Sequence, residues 1–202
     1  YLSLDDYISQ INKDQKEIYY FANVDKDHIK NSPQLETFLD KKIPVLFMSD
    51  AVDEFWLQNI SKYKDKSFKS ITKGKIDLSK IKSTNTKMKE DNDTKYNSNI
   101  NELINVLKKE LDNKISNVVV SDRLTKSPII LIADESGMDI NMEKLMKMHN
   151  KSMPDSKKIL EINPNHPMIL KLSDSLSKID HRKLSLLLLD QANILDGNVL
   201  SN

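Results

Sequence analysis

The 202-residue chain contains no cysteine, only three glycines and no apolar run long enough to cross a membrane. The absence of cysteine excludes disulfides, thiolate metal ligands and thiol nucleophiles. Three glycines leave little material for a glycine-rich phosphate loop, and neither a G-x-S-x-G nor an H-E-x-x-H motif is present. We therefore expect no catalytic centre, no cofactor site and no membrane partner, and a cytoplasmic location.

Arginine is also scarce, since only Arg123 and Arg182 occur among 31 basic residues. The lysines alternate with Asp and Glu, and the net charge is +1. Arginine is the residue favoured for bidentate phosphate and base contacts, whereas dispersed charge of both signs is typical of a solvated helical face. A nucleic-acid partner is therefore not expected. The four histidines lie far apart and show no metal-ligand spacing, so no metal site is predicted.

Methionine, by contrast, is concentrated in one segment, where five of the eight methionines fall within residues 138–153. Met138, Met142 and Met146 recur every fourth position with Leu145 between them, which places all four on one face of a helix predicted at 138–148. Because methionine is unbranched and polarizable, such a stripe can repack around many apolar partners. The alternative is that the stripe is part of an ordinary core.

The apolar pattern divides the chain into two units joined by a polar segment. Residues 1–73 predict the order β-α-β-α-β and therefore a small, mostly parallel α/β sheet domain. Its strands are predicted at 18–24, 43–48 and 68–72, and its helices at 3–13, from 32 onward and at 52–63. Residues 74–99 are rich in Lys, Asn, Asp and Ser and predict a flexible linker.

Residues 100–202 predict an α+β domain that ends in a helical bundle. A helical stripe runs from 100 to 111, and strands at 115–120 and 128–133 are expected to form a hairpin through a turn at 125–127. The methionine helix follows, with a further strand at 159–162. A helix begins at Pro167 after His166, and Asp180 is expected to cap the last one before Gly197.

The last helix is apolar around most of its circumference, so one neighbouring element cannot cover it. We expect it to be shared with a second subunit, the alternative being a central position in a large core. The predicted stripe consists of Leu184, Leu187, Leu188, Gln191 and Leu195, with Ala192 among them and Leu186 and Leu189 beside it.

The chain's only tryptophan, Trp56, follows Phe55 in an acidic helix start that includes Glu54. Two interpretations are open: the two rings form a core pair, or one of them is an exposed contact for apolar segments of a partner.

Several segments, taken in order, resemble the heat-shock-protein-90 chaperone family in its bacterial HtpG branch. The segments SLDDY (3–7), IYY (18–20), NSP (31–33), VLFM (45–48) and DE (53–54) resemble the later part of that family's middle domain. Four later segments resemble the C-terminal dimerisation domain of that family: RL (123–124), SP (127–128), the helix at 138–148 and EINPNHP (161–167). The resemblance covers nearly the whole chain. The order and spacing of these segments agree with the family as well, which makes the set specific.

The resemblance implies a homodimeric, ATP-driven chaperone that acts in protein folding and the stress response. ATP and magnesium would bind the parent chain upstream of these residues, so this fragment itself would not be an enzyme. The family's client-facing helix falls on Met138, Met142, Leu145 and Met146. Its middle-domain client contact falls on Glu54 and Phe55, with Trp56 displaced by one position from the family's usual tryptophan.

We therefore expect a fragment of a longer chaperone that binds unfolded or partly folded client proteins and contributes half of a homodimer interface. The chain starts at Tyr1 rather than Met and stops soon after Leu195, where the family has a further helix, so dimerisation is expected to be weakened. The alternative is a dimerisation scaffold with a buried methionine stripe and no client contact. A lysine-rich nucleic-acid binder is a third interpretation, and it would bind with a steep salt dependence.

Overall fold

A computed structural model describes residues 3–12, 14–23, 29, 31–78, 81, 98–150 and 152–198, without the side chains of Ala51, Glu54 and Gln58. The helices are α1 (Leu4–Gln10), α2 (Glu36–Asp40), α3 (Ala51–Asn59), α4 (Ser98–Glu110), α5 (Ile140–His149), α6 (Pro167–Asp174) and α7 (His181–Leu195). Short 3-10 turns cover Pro33–Leu35 and Leu176–Lys178. The strands are β1 (Glu17–Ala22), β2 (Leu46–Met48), β3 (Lys62–Tyr63), β4 (Lys66–Ser70), β5 (Ile115–Val120), β6 (Ile129–Ile132) and β7 (Lys158–Ile162).

The first sheet has the strand order β2-β1-β4-β3. Strand β1 pairs in parallel with both β2 and β4, and the short strand β3 adds an antiparallel edge that the sequence analysis did not predict. A capping box between Ser3 and Asp6 begins α1, and the hydroxyl of the buried Tyr7 donates to the Pro44 carbonyl 2.8 Å away. This bond ties α1 to the segment that leads into β2.

The second sheet has the order β5-β7-β6, so the predicted hairpin between the strands at 115–120 and 128–133 is wrong. Strand β7 lies between them, parallel to β5 and antiparallel to β6. Both faces of the inner strand β7 need covering, and its Leu160 and Ile162 are completely buried. Pairing with a strand 25 or more residues away cannot be inferred from local alternation.

Part of the predicted linker belongs to the first core rather than to a flexible connection. Ile76, Leu78 and Ile81 are buried against that core. The chain turns at Gly74, whose φ of +63° is a left-handed conformation that favours glycine. Residues 79–80 and 82–97 lie outside the described part of the chain.

The two sheets are joined directly rather than through a spacer. Beyond β4, the Ala133 N–H donates to the Thr72 carbonyl and the Gly74 N–H donates to the Ala133 carbonyl, both at 2.9 Å. Between them, Lys73 and Ala133 form a parallel bridge. The relative position of the two units is therefore fixed by backbone hydrogen bonds in this structure.

A buried ion pair lies at the same junction. The Arg123 guanidinium contacts the Glu161 carboxylate at 3.0 Å and donates to the carbonyls of Ile71 and Gly74 at 2.6 Å each. The hydroxyl of Ser121 donates to the other Glu161 oxygen. Burial raises the pKa of Glu161 despite the opposing charge of Arg123. One arginine therefore links β7 of the second unit to the chain that leaves the first sheet.

A second polar contact joins α2 to the loop before β6. The Glu36 carboxylate accepts hydrogen bonds from the backbone N–H groups of Thr125, Lys126 and Ser127. Burial raises the pKa of Glu36, but these bonds and the Ser127 hydroxyl outweigh it, so the pKa lies below its ordinary value. The turn predicted at 125–127 is thus a docking point for the first unit.

Candidate functional site

The methionine helix α5 begins at Ile140, two residues later than predicted. Asp139 is its N-cap, because the Asp139 side chain accepts from the Asn141 N–H, and Met138 precedes the helix. A short polar side chain that bonds the first free N–H groups stops the helix from extending back to Met138. Met138 therefore lies beside the helix rather than on its face.

The start of α5 is attached to the first sheet. The second Asp139 carboxylate oxygen accepts from the hydroxyls of Ser70 and Thr72, at 2.5 and 2.6 Å. The amide of Asn23 donates to the Asn141 side-chain oxygen at 3.2 Å. These bonds position α5 across the junction between the two units.

The opposite side of α5 is attached to the second unit by charged groups. The buried Glu143 carboxylate accepts from Lys147 on the same helix, from Ser156, and from Lys158 in β7. Burial raises the pKa of Glu143, but these hydrogen bonds and the charge of Lys158 outweigh it and hold the pKa below its ordinary value. Lys144 adds an ion pair of 3.0 Å with Asp196, which directly follows α7.

The methionines at α5 differ in their access to solvent. Met142 is only 5% exposed, so its prediction as a client contact is corrected: the side chain is buried in this structure. Met138 is 36% exposed and Met148 is 70% exposed, while Leu145 and Met146 are half-buried. The most exposed methionine is therefore Met148, which the sequence analysis did not single out, and Leu145 lies one turn before it on the same face of α5.

The two adjacent aromatic residues of helix α3, Phe55 and Trp56, lie in different environments. The sequence left open whether both are buried or one is exposed. Trp56 packs edge-on against Phe68 of β4, with ring centroids 5.5 Å apart and planes at 77°. Phe55 is 47% exposed. Phe55 is therefore the ring available to a partner, whereas Trp56 is partly covered by the sheet; the side chain of Glu54 lies outside the described part of the structure.

Helix α3 also contacts α5. The two segments that were predicted independently as binding surfaces, around Phe55 and around the methionines, therefore lie on neighbouring helices. Val52, also on α3, is exposed and lies one turn before Phe55. We call Val52, Phe55, Met138, Leu145, Met146 and Met148 the α3/α5 surface.

The predicted dimer stripe on α7 divides between two faces. Leu184 and Leu188 are buried in the core of the second unit, so their prediction as interface residues is corrected for this structure. Leu187 is 65% exposed, and Gln191 and Leu195 are half-buried. Ile194 is exposed on the same side as Leu187, and its i+7 spacing was a usable signal that the sequence analysis missed.

Among the described residues, no group of three or more His, Asp and Glu side chains could hold a metal ion, and no helix is long and apolar enough to cross a membrane. His166 has a local role, since its ring nitrogen Nδ1 accepts from the Met168 N–H and caps α6, which begins at Pro167 as predicted. His28 lies outside the described residues.

Two neighbouring helices of this α/β fold expose Val52, Phe55 and Met148, and Met and aromatic side chains are enriched at protein interfaces. Compared with models of protein families, the chain matches the family described as "Hsp90 protein" over residues 1–202. The chain therefore belongs to the Hsp90 family.

Individual relatives agree with this assignment. The chain is 42% identical to the "Chaperone protein HtpG" of Roseobacter denitrificans over 201 residues, which is 96% of this chain and 32% of the relative. It is 42% identical to the protein of that name from Ruthia magnifica, over 96% of this chain and 30% of the relative. With the Orientia tsutsugamushi protein of that name it shares 36% identity, over 98% of this chain and 33% of the relative. The chain thus spans about a third of the length of these relatives.

Proposed function

We propose that the chain is the distal middle-domain and C-terminal region of a homodimeric, ATP-driven chaperone, and that it binds apolar segments of unfolded or partly folded client proteins. The observation that carries this proposal is the exposure of Phe55 and Met148 on two neighbouring helices, of which α5 is held in place by polar contacts. Large exposed apolar side chains on adjacent elements mark interaction sites. The names of the relatives support a chaperone role.

The proposed mechanism is the exclusion of water from client segments. A fully buried Leu, Met or Phe side chain contributes about 1.5–3 kcal/mol, and much of that gain is offset by lost translational and conformational freedom. Contacts to the α3/α5 surface are therefore individually weak, so clients can be released. Methionine suits the task because its flexible thioether can fit differently shaped segments.

Binding and hydrolysis of ATP belong to the part of the parent protein outside this chain. The proposed homodimer would use the outward face of α7, where Leu187 and Ile194 are exposed, and it would bring two α3/α5 surfaces together and raise the effective concentration of sites.

The alternative is a dimerisation scaffold without client contact. The burial of Met142 favours it, because one of the three methionines in the original stripe is inaccessible. The two functions differ in a direct binding measurement, since only the first requires affinity for unfolded chains.

We expect a labelled, permanently unfolded protein to bind the chain saturably in a fluorescence anisotropy titration. The variant Phe55→Lys/Met148→Lys should bind with an affinity at least about tenfold lower, because two apolar contacts become charged. The matched control is Leu39→Lys/Leu170→Lys, which places the same two charges at exposed leucines on α2 and α6 and should bind as the unsubstituted chain does. Equal affinity for all three proteins would contradict the proposed surface, whereas no binding by the unsubstituted chain would favour the scaffold.

A further inference from the structure

We propose that the exposed methionines flanking and ending α5 form a reversible oxidation site, at which peroxide converts Met148 first and Met138 next to methionine sulfoxide. The modified surface then binds apolar client segments more weakly. The order of oxidation follows from the structure of α5 alone, whereas the loss of client binding rests on the proposed function.

The four methionines at this helix share one chemistry but differ in access to solvent. Met148 is 70% exposed and Met138 is 36% exposed, whereas Met142 is 5% exposed and Met146 is half-buried. A peroxide must reach the thioether sulfur to react with it, so accessibility ranks these side chains. Met142 serves as an internal reference within the same helix.

The reaction balances with hydrogen peroxide as its only co-reactant. A lone pair on the methionine sulfur attacks one peroxide oxygen, the S–O bond forms as the O–O bond breaks, and the second oxygen leaves as water after proton transfer. Sulfur is oxidised by two electrons and the peroxide is reduced by two. A dithiol reductase reverses the change, because its thiols supply two electrons and become a disulfide while the sulfoxide oxygen leaves as water.

Oxidation at these positions changes the surface but leaves the attachments of α5 intact. The helix is held by Asp139 on Ser70 and Thr72, and by Glu143 on Ser156 and Lys158, and none of these contacts uses Met138 or Met148. The sulfoxide oxygen is a strong hydrogen-bond acceptor, so covering it with an apolar client segment leaves it without water. The fold is therefore retained while the binding surface becomes polar.

The test has two independent readouts. First, the chain is treated with hydrogen peroxide and digested, and the sulfoxide fraction at each methionine is followed by mass spectrometry. We expect Met148 to oxidise fastest, Met138 more slowly and Met142 slowest. Equal rates at Met148 and Met142 would overturn the proposed site, whether or not the chain binds clients.

Second, the anisotropy titration is repeated after oxidation, with circular dichroism to show that the helix content is unchanged. Oxidation should lower the affinity of the unsubstituted 202-residue chain for the unfolded protein about five- to tenfold. The variant Met138→Leu/Met148→Leu should lose no affinity on oxidation relative to its own affinity before treatment. Met168→Leu, at a half-buried position on α6, should lose affinity on oxidation as the unsubstituted chain does. A methionine sulfoxide reductase should restore binding by the oxidised, unsubstituted chain.

The outcomes separate this inference from the proposed function. Binding that is unaffected by oxidation, or lost equally in the Met138→Leu/Met148→Leu variant, overturns the oxidation site and leaves the proposed function standing. An unoxidised chain that binds no unfolded protein contradicts the proposed function, and the mass-spectrometric order then still decides the oxidation site.

Discussion

Replacing Arg123 by alanine is expected to lower the free energy of unfolding by roughly 3–5 kcal/mol, which is the range for removing one partner of a buried ion pair. Arg123 and Glu161 are almost completely inaccessible, and the guanidinium also satisfies the carbonyls of Ile71 and Gly74. The variant would leave the buried carboxylate with only the Ser121 hydroxyl as a donor and would leave the two carbonyls without the guanidinium. Urea unfolding monitored by circular dichroism measures the loss.

The loss should also depend on pH. The pKa of Glu161 is raised by burial and rises further without Arg123, so a charged Glu161 destabilises the variant above that folded-state pKa. As the pH falls through it towards the unfolded value of 4.5, Glu161 is protonated and the penalty is relieved. The difference in the free energy of unfolding between Arg123→Ala and the unsubstituted chain should therefore be smaller at acidic pH than at pH 8.

The chain supplies its own control, since Arg182 is the other arginine and is exposed at the start of α7. Arg182→Ala should change stability by less than about 0.5 kcal/mol. The double variant Arg123→Met/Glu161→Leu should recover most of the loss, because it removes both buried charges. A similar effect of Arg123→Ala and Arg182→Ala would show that the ion pair does not hold the two units together.

Substitution of two adjacent leucines on α7 by alanine should lower the free energy of unfolding by very different amounts. Leu188 is 1% exposed in the second core, so Leu188→Ala should cost roughly 2–5 kcal/mol of stability in urea unfolding. Leu187 is 65% exposed, and Leu187→Ala should cost less than about 0.5 kcal/mol. Equal losses would mean that the helix is rotated or covered differently from the structure.

The same pair tests the proposed dimer face. Leu187→Lys should weaken self-association in sedimentation velocity experiments while it leaves monomer stability nearly unchanged, because only the outward face of α7 becomes charged. Unchanged self-association would place the contact between copies elsewhere.

Local patterns were sufficient where an element depends on its own residues. The cap of α7 is an example: Asp180 accepts from the Lys183 N–H as predicted, since an acceptor before an apolar run is a short-range signal. The stripe on α7 was visible too, but its orientation was not. Periodicity shows that a face is apolar, whereas only the position of neighbouring elements decides that Leu188 faces inward and Leu187 outward.

Contacts between distant residues could not be inferred in this way. Strand β7 separates β5 from β6, and this pairing depends on which strand fills the centre of the sheet rather than on the turn between β5 and β6. The burial of Glu143 and Glu161 is likewise invisible in a lysine-rich sequence, because a carboxylate can be buried only where distant partners reach it. The difference between the covered Met142 and the exposed Met148 is equally a matter of which elements pack on α5, not of the local spacing.

The most direct test of client binding at the α3/α5 surface is a titration of the chain, carrying ¹³C-labelled methionine methyl groups, with an unlabelled unfolded protein, followed by NMR. The methyl signals of Met138, Met146 and Met148 should shift or broaden, while those of Met142 and Met168 should change little. A titration that perturbs Met168 instead, or that leaves all methionine signals unchanged, would contradict client binding at this surface.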